Sequence, residues 1–128
     1  MPDKPLERFF AKPVNNLLLG VLGLLLFGLK FINISIESPI LLTIGRFHPI
    51  LLHFPIVLVL LALIAELLRF FKVIEIANRV FFYAFLLIIL LTIVSILSGY
   101  FLFSSGEYAG FLMEQHFNGA VATGILLL

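Results

Sequence analysis

From Val80 to Gly106 the chain carries no charged side chain. A stretch of that length and character has few places to go. As an α-helix rising about 1.5 Å per residue, it is long enough to cross the ~30 Å hydrocarbon core of a bilayer. A helix also pairs its backbone groups internally, which lipid demands. Three further apolar stretches accompany it, and the spans read as residues 14–34, 49–68, 80–103 and 111–128. The expectation is an all-α, polytopic membrane protein: one domain over residues 1–128, folded as a bundle of about four transmembrane helices.

Composition agrees. Apolar residues make up 62% of the chain and charged residues 12%, against roughly half and a quarter in soluble domains. A small domain leaves much of its surface exposed, so water could not accommodate that excess. There is no Cys, which excludes disulfides, thiolate metal sites and c-type haem attachment within this segment. The net charge of +1 comes with no basic patch, so no nucleic-acid partner is expected; the bilayer is. With no Trp, the interfacial aromatic anchors are Tyr83, Tyr100, Tyr108 and the many Phe.

The first apolar run is too long for the core of a secretory signal, and no small-residue cleavage site follows it, so it reads as an uncleaved anchor. Residues 35–48 form a connector whose middle, 40–44, is apolar and is expected on the bilayer surface. Pro49 suits a first helical position, and Pro55 is expected to bend the second span. In the third span Thr92, Ser95 and Gly99 form a small-residue face that lets another helix approach closely. Only twelve residues follow His116, too few at about 1.5 Å each to reach the far side, so the fourth span is expected to be truncated. Glu66 and Arg69 read as an exposed ion pair near the end of the second span.

Six of the eight Lys and Arg residues lie in the N-terminal segment (Lys4, Arg8, Lys12) or in the 69–79 loop (Arg69, Lys72, Arg79). The positive-inside rule then puts the N-terminus in the cytoplasm. All three histidines, His48, His53 and His116, fall toward the outer side. His48 sits at the mouth of the second span, His53 lies about one turn deeper, and His116 reaches a similar depth in the fourth. Ionisable groups inside membranes are costly and mark pathways or sites. Matched depth on different helices predicts that His53 and His116 face each other. Gly119, Ala120, Thr123 and Gly124 beside His116 leave room for a flat macrocycle, or serve helix packing alone.

Arg46-Phe47-His48-Pro49-Ile50-Leu51-Leu52-His53-Phe54-Pro55 resembles the R-F-H-P-x-L-x-H-F-P signature of a bacterial membrane domain family of unknown function, found alone or fused to c-type cytochrome domains. Gly106-Glu107-Tyr108-Ala109-Gly110, followed by His116 and Gly119, is similar to that family's later G-x-Y … H-x-x-G pattern. The resemblance implies the bacterial inner membrane, redox work near its outer face, and a c-type cytochrome domain or subunit as partner, with an oligomer or larger membrane complex as a further possibility.

Three functions compete. In the first, an electron-transfer module holds a b-type haem with His53 and His116 as axial ligands, and His48 and Arg46 support it or pair with the propionates. In the second, the chain is a cofactor-free membrane anchor or assembly subunit whose histidines bond to helix ends and to Glu107 or Glu114. In the third, His53 and His116 belong to a zinc or copper site, although the i, i+5 spacing of His48 and His53 sets them about 140° apart on a helix. No enzymatic reaction is assigned. Ser95, Ser98, Ser104 and Ser105 lack the setting of a hydrolase nucleophile.

Overall fold

The computed structural model describes residues 5–32, 37–105 and 110–128. The end of the first expected span and the Gly106-Glu107-Tyr108-Ala109 motif lie outside them. The described residues are helical in the order α1 (Pro5–Phe10), α2 (Pro13–Gly28, ending in a 3-10 turn at Leu29–Phe31), α3 (Pro39–Arg46), α4 (His48–Phe70), α5 (Asn78–Phe103) and α6 (Phe111–Leu127).

Proline stands in the first turn of four of these helices, Pro5 of α1 among them. Pro13, Pro39 and Pro49 each occupy a first-turn position, where a missing N–H costs nothing and the fixed φ suits the helix. Among the described residues three segments, Pro13–Phe31, His48–Phe70 and Asn78–Phe103, are long and apolar enough to cross a membrane. The fourth stretch is helical too, but α6 has 17 residues and does not join that set. Pro55 lies within α4, which nevertheless continues from His48 to Phe70 as one helix.

The connector keeps Ile40 and Ile44 exposed. Its apolar middle folds as α3 and packs on α5. Gly45 makes that approach possible, because a Cβ there would stand 2.9 Å from the backbone nitrogen of Leu102.

α5 organises the rest. It packs against α3, α4 and α6, while α2 packs on α6, so the long helices follow one another across the molecule as α4, α5, α6, α2. Leu26, Ile96, Tyr100, Phe117 and Val121 form the buried cluster where α2, α5 and α6 meet. Phe117 stacks on Phe103 with ring centres 5.0 Å apart, and the Tyr100 hydroxyl donates to the Ile32 carbonyl at 2.9 Å. At the opposite end Phe9 of α1 meets Phe82 of α5. The N-terminal segment and the α4–α5 loop therefore share one end of the molecule.

The outer faces of α2 and α4 are almost wholly apolar and exposed. Leu26 is the only buried residue of α2, and Pro55 the only one of α4. Exposed Leu, Ile, Val and Phe side chains on this scale suit lipid as the surrounding solvent. Glu66 and Arg69 lie 3.7 Å apart as an exposed i, i+3 pair, and Arg69 also covers the ring of Phe81 at 5.1 Å.

Candidate functional site

Because α4 and α6 flank α5 without closing on each other, a cleft remains between them. Its larger part is a cavity of about 540 Å³ that runs from His48 and His116 down to Leu60 and Leu127. A smaller cavity of about 270 Å³, lined by Gly99, Leu102, Met113 and Phe117 among others, lies beside the same two histidines. The walls are apolar apart from the histidines, Gln115 and the hydroxyl residues Thr92, Ser95 and Thr123.

His48 and His116 are the pair this arrangement brings together. Their ring centres are 6.2 Å apart and their planes are inclined by 79°. His48 is half-buried. Its Nδ1 lies 2.9 Å from the Ser95 carbonyl and 3.2 Å from the Ser98 hydroxyl. His116 is exposed in the mouth of the cleft.

His53 is not part of the pair, and the expected opposition of His53 and His116 is corrected to His48 and His116. The His53 ring is exposed, lines neither cavity, and hydrogen-bonds through Nδ1 to the Pro49 carbonyl one turn back on its own helix. The cause is angular. Five residues rotate a helical side chain by about 140°, so once His48 is turned toward α5 and α6, His53 points away from both. Arg46 ends α3, is exposed, and lines neither cavity.

The described residues offer no support for the zinc or copper expectation. Among the described residues no group of three or more His, Asp or Glu side chains converges. With His53 turned away, the three imidazoles cannot meet on one ion. What remains is two imidazoles, one with its second nitrogen anchored to a carbonyl, as ligating histidines are.

Ser98 and Gly99 escaped the sequence reading as partners of His48. The small-residue face of α5 was visible in the sequence as Thr92, Ser95 and Gly99, but what it receives is an imidazole rather than a helix backbone. A Cβ at Gly99 would lie 2.9 Å from Cε1 of His48. The Ser95 hydroxyl is buried with no hydrogen-bond partner among the described residues, which costs stability.

No family model, curated protein or solved structure matches the chain.

Proposed function

We propose that the chain is a membrane-embedded electron-transfer module whose α4–α6 cleft holds a b-type haem between His48 and His116. The observation that carries this reading is the 6.2 Å separation of the two rings. Two imidazoles this close would be the residues that hold such a group. The donor set fits as well. Both ligands are imidazoles on different helices, and the larger cavity beside them, about 540 Å³, is of a size that buries a cofactor. Such a haem would supply a one-electron couple, tuned by the apolar walls and the hydrogen bond behind His48.

In this reading α2, α4, α5 and α6 all sit in the bacterial inner membrane. The N-terminus and the α4–α5 loop face the cytoplasm, and the histidine end faces outward. A c-type cytochrome domain or subunit on that side would exchange electrons with the haem.

A second reading is favoured by one specific observation. The bonds of His48 to Ser95 and Ser98 already satisfy Nδ1 and tie α4 to α5, which is what an anchor or assembly subunit without a cofactor would need. An absorption spectrum of the purified protein, reduced minus oxidised, separates the two. A b-type haem difference spectrum supports the electron-transfer module. A protein purified from haem-replete membranes without one supports the anchor.

A further inference from the structure

The two histidines of the cleft are held very differently. Among the described residues the ring of His116 meets His48 and makes no hydrogen bond. His48 is clamped. Its Nδ1 lies 2.9 Å from the Ser95 carbonyl oxygen, which can only accept. In a neutral imidazole one nitrogen donates and the other accepts, so the proton sits on Nδ1 and Nε2 keeps a bare lone pair. The Ser98 hydroxyl donates to the same carbonyl at 2.8 Å and lies 3.2 Å from Nδ1. Gly99 supplies the floor: a Cβ built there would lie 2.9 Å from Cε1 and 3.0 Å from Nδ1 of His48, closer than side chains approach.

We propose that the Ser95 carbonyl, Ser98 and Gly99 form a seat that fixes His48 as the Nδ1–H tautomer, so that Nε2 is the nitrogen offered to a ligand in the cleft. Ser98 and Gly99 are positioning residues. They act on the imidazole, not on the ligand. The purpose of the seat rests on the electron-transfer reading, whereas the tautomer does not. The arrangement also ranks the pair. A ring held on one edge by a carbonyl and on one face by a helix backbone loses little freedom on binding, so His48 is the permanent ligand and His116 is recruited to it.

Nitrogen NMR on the full chain in detergent, with ¹⁵N-labelled histidine and the sample kept reduced, tests this. The His48 signals are those lost in His48→Ala. The expected result is a protonated Nδ1 and an unprotonated Nε2. Gly99→Ala should abolish that pattern by lifting the ring from its seat. Ser98→Ala should keep the ring in place but shift its Nδ1 resonance. Gly124→Ala is the control for general damage, because its Cβ crowds Ile96 and Leu26 instead, and it should leave the His48 signals where they were. A parent His48 protonated on Nε2, or His48 signals unmoved by both Gly99→Ala and Ser98→Ala, would overturn the seat. A protein without haem but with an Nδ1–H His48 keeps the seat and removes the electron-transfer reading. Bound haem with an unmoved His48 does the reverse.

Discussion

His48 and His116 meet ring to ring at 6.2 Å although α4 and α6 barely touch, and α5 is the reason. It carries both neighbours, one on each side, and presents Ser95, Ser98 and Gly99 to the first histidine. The site is thus a property of three helices, and contacts that hold the outer end of α5 should control it.

Gly45 is one such contact. Its missing side chain lets α3 lie against the backbone of Leu102, on the turn of α5 that continues from Gly99. Gly45→Ala forces backbone apart from backbone, which side-chain repacking cannot relieve. Overpacking of this kind costs about 1–3 kcal/mol. The midpoint of denaturation in detergent should fall accordingly, and an unchanged midpoint would show that α3 does not pack there.

Tyr100 ties the other side. It is buried in the cluster of α2, α5 and α6, and its hydroxyl is the link to the Ile32 carbonyl at the end of the first long segment. Tyr100→Phe keeps the packing and removes one hydrogen bond, worth about 0.5–1.5 kcal/mol. The same denaturation experiment should register that loss without a change in helix content by circular dichroism.

Topology offers a third test. Phe9 against Phe82 groups the N-terminal segment with the α4–α5 loop, where six of the eight Lys and Arg residues of the sequence are found. A reporter fused after Lys72 should be active only as a cytoplasmic fusion, and one fused after Ser105 only as a periplasmic fusion. A periplasmic signal from Lys72 would invert the orientation.

The long helices were legible in the sequence because lipid imposes a length and a polarity that few other environments share. Smaller features were not. The short apolar run 40–44 gives no sign in the sequence that it docks on α5, and only the Gly45–Leu102 approach shows it. The histidines show the sharper limit. Depth along a helix can be counted from the sequence, and His53 matches His116 in depth. Direction around the helix cannot be counted until one side chain is pinned by a tertiary contact. Here Gly99 and the Ser95 carbonyl pin His48, and the roughly 140° between the two residues then turns His53 outward. The gap at Gly99 was readable as a place of close approach, but not as the place of a ring.

The central claim is that His48 and His116, not His53, hold a haem. Reduced-minus-oxidised spectra of the parent, His48→Ala, His116→Ala and His53→Ala proteins, purified at equal yield from haem-replete membranes, test it directly. The parent and His53→Ala should show the same b-type signal. His48→Ala should lose it, and His116→Ala should lose it or retain a spectrum altered by the missing ligand. A parent without a b-type signal would contradict the account, as would a signal that His53→Ala removes while His48→Ala leaves it intact.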